Sequence, residues 1–368
     1  MTPKVYFTNF CTVNGEALPQ KLARLCMTAG MGNIDFEGKF VAIKIHFGEK
    51  GNMAYLRAGY AKAIVDLVKD LGGKPFLTDA NTLYVGSRKN ALDHLDTAYE
   101  NGFTPYSTGC QIIIADGLKG TDDVAVPVVG GEYVKEAKIG RAVMDADIFI
   151  SLNHFKGHEA AGFGGALKNI GMGCGSFEGK KEMHSTCRPV VDQENCVGCG
   201  VCADSCAHGA PILQDDGKMY IDLAKCAGCG RCIGQCPVKA IHSSNQNSNE
   251  LLCYKIAEYT KAVLDGRPHF HISLVRDVSP CCDCYNHNDL PIVPDVGMFA
   301  SFDPIALDLA CAEAVLQQPI IPGSQLDRAN QPGADHLTAN SPNTSWRSQI
   351  EHGKKIGLGQ DCYELVTV

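Results

Sequence analysis

The sequence lacks the features that mark three common classes of protein. It has no block of lysine and arginine, and its 33 basic residues are outnumbered by 41 acidic ones, so nucleic acid is not expected as a main partner. No apolar run approaches the roughly 20 residues of a membrane-spanning helix. The opening MTPKVYFTNF lacks the basic-then-apolar pattern of an export signal. We therefore expect a cytoplasmic protein that has no membrane partner.

Cysteine is the residue that the chain has in excess. Of its 19 cysteines, eight fall between residues 196 and 236, and three more cluster at 281–284. In an exported protein such a number would indicate disulfides. Without an export signal, metal ligation is the better interpretation.

Hydrophobic patterning predicts an α/β fold in which a mainly parallel sheet carries helices on both faces. The run 40–47 is apolar almost throughout, as in a strand that is buried on both faces. Residues 59–73 form an amphipathic helical pattern that ends at two glycines. The predicted strands are 4–10, 40–47, 75–80, 111–117, 146–154 and 270–278, and the predicted helices are 19–30, 59–73, 87–101, 135–145, 251–266 and 303–317.

The alternation of strands and helices is interrupted once. Residues 191–245 are rich in cysteine and end in the polar run HSSNQNSNE. The simplest organisation is one α/β domain, formed by residues 1–190 and 246–368, with a small ferredoxin-type α+β domain inserted at 191–245. The last stretch of about 45 residues is rich in proline, asparagine and serine, and we expect it to be irregular.

The inserted segment contains two copies of C-x2-C-x2-C-x3-C, offset by 30 residues. This spacing is typical of bacterial ferredoxins with two 4Fe–4S clusters, in which the fourth cysteine of each run ligates the other cluster. Zinc is the alternative for paired CxxC motifs, but it does not require a third cysteine in each run. The predicted ligands are Cys196, Cys199, Cys202 and Cys236 for cluster one, and Cys226, Cys229, Cys232 and Cys206 for cluster two.

A second group of polar side chains follows the predicted strands. In an open parallel sheet, ligands bind beyond the carboxyl ends of the strands, so these side chains are expected to converge. They are His46, Glu49, Asn52, Asp79, Asn81, Thr82, Asp116, Asn153, His154, Lys156, His158, Cys281, Cys282, Asp283 and Cys284. From them we predict a catalytic set of His154, Lys156, His158 and Asp283, and candidate ligands of an additional metal ion at Cys282, Cys284, His46, His154 and His158.

Simpler roles remain open for several of these residues. His46 lies in an apolar strand and suits a hydrogen-bonded core histidine, while Asp79 and Asp116 suit turn caps. Cys282 and Cys284 suit buried free thiols. A C-x-C motif with an aspartate between the cysteines nevertheless favours metal ligation or a reactive thiol pair.

Glycine is dense in the stretch that follows HFKGH. Six glycines lie between residues 162 and 175, and each would cost about 1 kcal/mol in a helix relative to alanine. We therefore expect backbone amides that approach a ligand or cluster, or tight packing against the ferredoxin segment. Lys156 or Lys168 would balance an anionic substrate. The alternative is a mobile lid with no ligand of its own.

Several long motifs resemble the prokaryotic family called domain of unknown function 362, in the subgroup with an inserted ferredoxin. The matching stretches are VAIKIHFGEKGN, PFLTDANTLYVGSR, IIIADGLKG, HFKGHEAAGFGGALKNIGMGCGS, the two cysteine runs, SPCCDC, PIVPDVGMFASFDPIALD and IGLG. The resemblance covers nearly the whole chain and implies the inserted-ferredoxin architecture. Family members differ at the position before Cys282, so Cys281 is not carried over. The resemblance supplies no established reaction.

Three functions fit these motifs, and no G-x-G-x-x-G fingerprint of a nicotinamide or flavin site accompanies them. The leading hypothesis is an iron–sulfur oxidoreductase that passes low-potential electrons from two 4Fe–4S clusters to a small-molecule or metal site at the carboxyl end of the sheet. The second is a non-catalytic electron-transfer partner in a redox complex. The third is a metal- or cluster-assembly factor. Electron transfer implies a redox partner protein.

Overall fold

The computed structural model describes residues 2–12 and 15–368, and its centre is an eight-stranded sheet. The strands of this sheet are β1 Lys4–Thr8, β2 Phe40–Lys44, β3 Lys74–Asp79, β4 Gln111–Ile114, β7 Ile148–His154, β14 His269–Val275, β15 Gly297–Ser301 and β16 Glu364–Thr367. Four two-stranded sheets are formed by β5 Asp123–Pro127 with β6 Glu136–Gly140, β8 Lys156–His158 with β9 Gly162–Gly164, β10 Pro189–Val191 with β13 Ile241–Ser243, and β11 Pro211–Leu213 with β12 Met219–Ile221.

The helices connect these strands in chain order. They are α1 Leu18–Thr28, α2 Ala58–Asp70, α3 Ala91–Glu100, α4 Pro105–Thr108, α5 Arg141–Asp145, α6 Ala166–Cys174, α7 Phe177–His184, α8 Val201–Asp204, α9 Arg231–Gln235, α10 Ser248–Leu264, α11 Pro304–Leu316, α12 Gln325–Ala329, α13 His336–Asn340 and α14 Arg347–Lys355, with a short 3-10 turn at Met31–Asn33. None of the helices in the described part of the chain is long and apolar enough to cross a membrane.

The large sheet has the order β16-β1-β15-β14-β7-β2-β3-β4, and every strand except β15 runs in the same direction. Successive residues of a strand point to opposite faces. In β7, Ile148 and Ile150 therefore belong to the core under α1 and α2, and Phe149 belongs to the core under α6, α10 and α11. Burial on both faces explains the nearly continuous apolar strands. The predicted α/β fold is confirmed.

The cysteine-rich segment has a small core of its own. It begins beside β10 and ends beside β13, and these two strands pair antiparallel through Val190 and His242. Inside it, α8 and α9 follow the two cysteine runs, and Cys196, Cys202, Met219, Ala240 and Ile241 pack together. The segment therefore leaves and rejoins the α/β part at adjacent points.

Two parts of the secondary-structure prediction are wrong. The predicted helix 135–145 is a strand, β6, followed by the single turn of α5, because residues 136–140 pair with residues 123–127. The C-terminal stretch that we expected to be irregular contains α12, α13, α14 and β16. Strand β16 forms by adding to the edge of the sheet beside β1, from the other end of the chain.

Candidate functional site

The carboxyl ends of β14, β7, β2 and β3 are neighbours at one edge of the sheet, and a site is built where they end. After β7 the chain turns into the hairpin of β8 and β9, which lies against the loop that follows β14. The backbone N–H of Gly157 donates to the carbonyl of Ser279 at 2.8 Å. A Cβ on Gly157 would overlap the carbonyl of Pro280, so the glycine of HFKGH permits this close approach.

Asp283 lies fully buried between two cationic side chains. Its carboxylate is 2.8 Å from Nδ1 of His154 and 3.2 Å from Nζ of Lys156. Burial alone would raise the pKa of Asp283, but His154 and Lys156 outweigh burial and hold the pKa below its usual range. The other ring nitrogen of His154 donates to the carbonyl of Arg276 at 2.8 Å. Both partners only accept, so His154 has a proton on each ring nitrogen and none left to bind a metal.

Cys282 and Cys284 form a hydrogen-bonded pair next to this ion pair. The Cys284 thiol donates to the Cys282 sulfur, which also receives hydrogen bonds from His158 and from Lys168 Nζ at 3.2 Å. These donors outweigh burial and hold the pKa of Cys282 well below its ordinary value. The pKa of Cys284 is raised well above its own ordinary value, because its proton is held by Cys282 and because it is buried. The pair therefore holds one thiolate and one thiol.

His158 presents its proton to the thiolate. Its Nδ1 accepts the backbone N–H groups of Ala160 at 3.1 Å and Ala161 at 3.2 Å. The ring proton is therefore on Nε2, and the ring serves as a donor to Cys282. His158 and Lys168 together supply the positive charge and the proton that a reaction at this sulfur would need.

The loops after β2 and β3 hold the Cys282–Cys284 turn in place. The Glu49 N–H donates to the Asp283 carbonyl at 2.9 Å, and the Asn52 amide donates to the Tyr285 carbonyl at 3.1 Å. The Glu49 carboxylate in turn binds Arg88, whose Nε lies 3.1 Å from it. The hydroxyl of Tyr84 is hydrogen-bonded to Cys284. Glu49 and Asn52 thus support the turn and do not face a ligand.

Three other predicted residues lie in neighbouring networks. Asp79 is buried and pairs with Lys44 at 2.9 Å. Asp116 accepts the backbone N–H of Asn81 at 3.0 Å, a turn-capping arrangement, and burial raises its pKa to about 6. Nδ1 of His46 accepts the Gly48 N–H at 3.0 Å, and burial lowers the pKa of this ring. Nothing brings these three side chains into hydrogen-bond contact with the Cys282–Cys284 pair.

The predicted additional metal site has no matching ligand geometry. Across residues 2–12 and 15–368 there is no group of three or more His, Cys, Asp or Glu side chains spaced to hold a single metal ion. At the Cys282 sulfur, the ammonium of Lys168 occupies a position at which a cation would approach. Sequence reasoning had not singled out Arg88, Tyr84 or Lys44. Of these, only Lys44, a lysine in an otherwise apolar strand, carried a signal that could have been noticed.

The cysteine-rich segment brings its cysteines together in the predicted groups. Cys206, Cys226, Cys229 and Cys232 line one cavity, although Cys206 comes from the first run. Cys236 of the second run packs against Cys196 and Cys202, while Cys199 is exposed. Sulfur atoms accept backbone N–H groups, from Gly228 to Cys226 at 3.3 Å and from Ala240 to Cys236 at 3.2 Å. Exchange of the fourth cysteine and N–H donors at sulfur are both properties of ferredoxin cluster sites.

The second cysteine run lies directly against the sheet-edge site. The guanidinium of Arg231, next to Cys232, stacks on the Tyr285 ring at 4.0 Å and lies 5.1 Å from the Tyr84 ring. The Tyr285 hydroxyl donates to Glu159 at 2.9 Å, beside His158. Arg231 therefore bridges a cysteine run and the turn that holds Cys282 and Cys284.

The likeness to known proteins extends over most of this architecture. A family profile matches residues 41–313. The chain belongs to the family described as Domain of unknown function (DUF362). In this DUF362 protein the match begins in β2 and ends in α11, so it encloses both the sheet-edge site and the cysteine-rich segment.

Curated relatives match parts of the DUF362 chain. A thylakoid-associated protein of Synechocystis sp. is 27% identical over 154 residues, which are 39% of this chain and 42% of that protein. A ferredoxin of Pyrobaculum islandicum is 36% identical over 63 residues, which are 17% of this chain and 59% of the ferredoxin. The DUF362 chain thus matches about half the length of these relatives, and one stretch of it is similar to a ferredoxin.

Two solved structures align at low similarity. The lactate racemase apoprotein of Thermoanaerobacterium thermosaccharolyticum aligns at 12% identity with a TM-score of 0.34, covering 75% of this chain and 51% of that one. A Thermotoga maritima protein from a structural genomics consortium aligns at 11% identity with a TM-score of 0.40, covering 81% of this chain and 56% of that one. The function is therefore argued from the site.

Proposed function

We propose that this protein is an iron–sulfur oxidoreductase that passes electrons from two 4Fe–4S clusters to the buried thiol pair at the carboxyl edge of the sheet. The observation that carries the proposal is the contact between Arg231 and Tyr285, because it joins the predicted ligand run of cluster two to the turn of Cys282 and Cys284. A cysteine run that served only as a separate electron carrier would have no need of this contact.

The cysteine groups are suited to such clusters. Cluster one would be held by Cys196, Cys199, Cys202 and Cys236, and cluster two by Cys226, Cys229, Cys232 and Cys206. Gly198 and Gly228 have positive φ angles of 65° and 75°, which let the backbone turn closely around the sulfurs. When bound, each cluster supplies one electron at low potential. The chain supplies the ligands, the N–H donors and the contact with the sheet-edge site.

Cluster two is the inner cluster in this proposal, and cluster one is the outer one. The second run packs on residues 184–187, where a Cβ on Gly228 would overlap the carbonyl of His184. The corresponding glycine of the first run, Gly198, approaches Gly217 inside the same segment. Beside the first run, the side chain of Val197 is 64% exposed, which favours entry of electrons there from a redox partner protein.

The residues around Cys282 would manage charge and protons. Lys168 stabilises negative charge that develops on the Cys282 sulfur, and His158 holds a proton toward that sulfur. Asp283 keeps His154 and Lys156 in place, since it pairs with both. A polar reaction at this sulfur would thus proceed in a site that excludes water, because Cys282 is fully buried.

The test is the oxidation of reduced clusters by substrate. The anaerobically purified protein would be reduced with dithionite, and the loss of the reduced-cluster signal in electron paramagnetic resonance (EPR) would be followed after addition of metabolite pools. We expect one pool to reoxidise the wild type faster than buffer does, and Cys282→Ser to lose this response while its cluster signals remain. If no pool acts faster than buffer, or if Cys282→Ser responds like the wild type, the proposal is wrong.

One observation favours a second candidate, a non-catalytic electron carrier. Cys282 and Cys284 are 0% and 8% exposed, so a substrate has no open approach to them. In that case the α/β part would serve as a docking platform. Replacement of Cys282 would then leave electron delivery to a copurified partner unchanged.

A further inference from the structure

We propose that Cys282 and Cys284 are a reversible dithiol–disulfide couple, reduced by two electrons that arrive through the cysteine-rich segment. The couple deepens the proposed function and relies on it for the source of electrons. It assigns a chemical role to the C-x-C turn that does not require an additional metal ion.

The two sulfurs are already in contact. The N–H of Tyr285 donates to the carbonyl of Cys282 at 3.0 Å and closes a turn over residues 282–285. This turn places both cysteine side chains in one small cluster with Tyr285, where the thiol of Cys284 donates to the sulfur of Cys282. Formation of an S–S bond therefore needs rotation of side chains and no approach of separate segments.

The surroundings favour a thiolate nucleophile over a bound metal. Lys168 Nζ lies 3.2 Å from the Cys282 sulfur, and His158 donates to the same atom. Two donors on one sulfur stabilise the thiolate that forms when a disulfide is reduced. The neighbouring carboxylate of Asp283 is already neutralised by His154 and Lys156, so it does not compete for the same cations.

The arithmetic of electrons fits the two predicted clusters. Each reduced 4Fe–4S cluster gives up one electron, and a disulfide takes up two. Two reduced clusters, the Cys282–Cys284 disulfide and one proton thus give two oxidised clusters, a Cys282 thiolate and a Cys284 thiol. The S–S bond is the bond that breaks, the proton goes to Cys284, and Lys168 and His158 balance the charge on Cys282. The pair converts one-electron carriers into a two-electron site.

Two measurements on the anaerobic full-length protein test the couple. In a dithionite titration of the fully oxidised protein, we expect wild type and Cys281→Ser to take up about four electrons per chain, and Cys282→Ser and Cys284→Ser about two. In parallel, oxidised wild type would be quenched in acid, alkylated and mapped by mass spectrometry. We expect Cys282 linked to Cys284, with Cys281 alkylated.

The outcomes separate the couple from the clusters. Uptake of only two electrons by the wild type, free alkylation of both Cys282 and Cys284 after oxidation, or loss of the disulfide in Cys281→Ser would overturn the couple. Absence of reduced-cluster EPR signals would overturn the proposed electron supply. The alkylation map would still decide whether the disulfide forms, because it needs no cluster and uses unmutated protein.

Discussion

Asp283 carries the charge balance of the sheet-edge site. It is a fully buried anion that contacts His154 and Lys156, and its own backbone carbonyl accepts the N–H of Glu49. A buried charge without its partner is far more costly than an exposed one. The consequence of losing Asp283 should therefore be structural as well as chemical.

We expect Asp283→Asn to lower the free energy of unfolding by about 3–5 kcal/mol at neutral pH, because the cations of His154 and Lys156 remain buried without an anion. The pKa of Asp283 is depressed in the folded state, so its contribution is complete above the ordinary carboxyl pKa of about 4 and is lost as the pH falls below it. Urea unfolding at several pH values should show a constant difference from wild type above this pH and a shrinking one below it.

The matched control is Asp66→Asn. Asp66 forms an exposed pair with Lys62 one helical turn away, in α2. Exposed pairs of this kind contribute about 0.5 kcal/mol or less. Equal losses in the two variants would contradict the role given to Asp283.

Lys168 should set the potential of the proposed thiol couple. Its ammonium stabilises the Cys282 thiolate and hence the reduced form, so Lys168→Gln should make the couple harder to reduce. A hydrogen bond to a charged group is worth about 1.5–3 kcal/mol, which corresponds to a midpoint potential about 30–60 mV more negative. Equilibration against dithiothreitol mixtures, followed by alkylation, measures the shift. Lys168→Arg, which keeps the charge, should move much less, and a rise in potential for Lys168→Gln would refute the assignment.

At the scale of elements, the glycine-rich stretch after HFKGH belongs mostly to a helix. Residues 166–174 form α6, and a Cβ on Gly171 would overlap the carbonyl of Ile256 in α10. A Cβ on Gly173 would lie 2.7 Å from Cε of Lys44. These glycines let α6 lie close to α10 and to strand β2. Tight packing was one of the two explanations expected for them, but the neighbour is α10 and not the ferredoxin segment.

Gly171→Ala should therefore destabilise the protein although alanine is the better helix former. Overpacking of a close contact costs about 1–3 kcal/mol. Gly59 provides the comparison, because it lies within α2 and nothing is within 4 Å of its missing Cβ. Gly59→Ala should stabilise by up to about 1 kcal/mol. Denaturant midpoints of the two variants should move in opposite directions, and a shift in the same direction would rule out the packing explanation.

The sequence predicted those elements whose pattern is local. The apolar runs that became β2 and β7 and the periodic pattern that became α2 are buried as their patterns require. Strand β6 was predicted as part of a helix, since its pairing with β5 is a long-range contact that local propensity does not report. Strand β15 contains glycine and lies among turn residues, and β16 depends on β1 from the other end of the chain.

The same distinction holds for the site. The rule that ligands gather at the carboxyl ends of parallel strands led to His154, His158 and the Cys282–Cys284 turn, which the structure brings together. Tyr84 and Arg231 were missed because they come from irregular loops, where no periodic pattern marks a side chain as inward-facing. Their role depends on how the cysteine-rich segment lies against the sheet.

At the scale of the whole molecule, the cysteine-rich segment and the α/β part meet at the Arg231 contact. A guanidinium over aromatic rings contributes about 0.5–2 kcal/mol, depending on how far it is removed from water. The contact is small, but under the proposed function it is the place where electrons cross from one part to the other.

Arg231→Ala should slow the oxidation of cluster two by the sheet-edge site and leave the cluster EPR signals in place. Arg231→Lys should recover part of the rate, since lysine also binds over aromatic rings. Lys225→Ala is the control, because Lys225 is an exposed cation of the same segment that pairs with Asp222 at 3.6 Å. Rapid-freeze EPR after oxidant addition measures the rate, and an unchanged rate in Arg231→Ala would exclude this crossing point.

The pairing of β10 with β13 has a consequence for how such a protein can be assembled by evolution. Val190 and His242 face each other across the pair, so the two points where the segment joins the rest are about 5 Å apart. A tight two-residue turn spans the same gap. The host sheet can therefore acquire the segment, lose it or exchange it for one of another redox potential without rebuilding its own strands, and only the residues facing Arg231 would need to adapt.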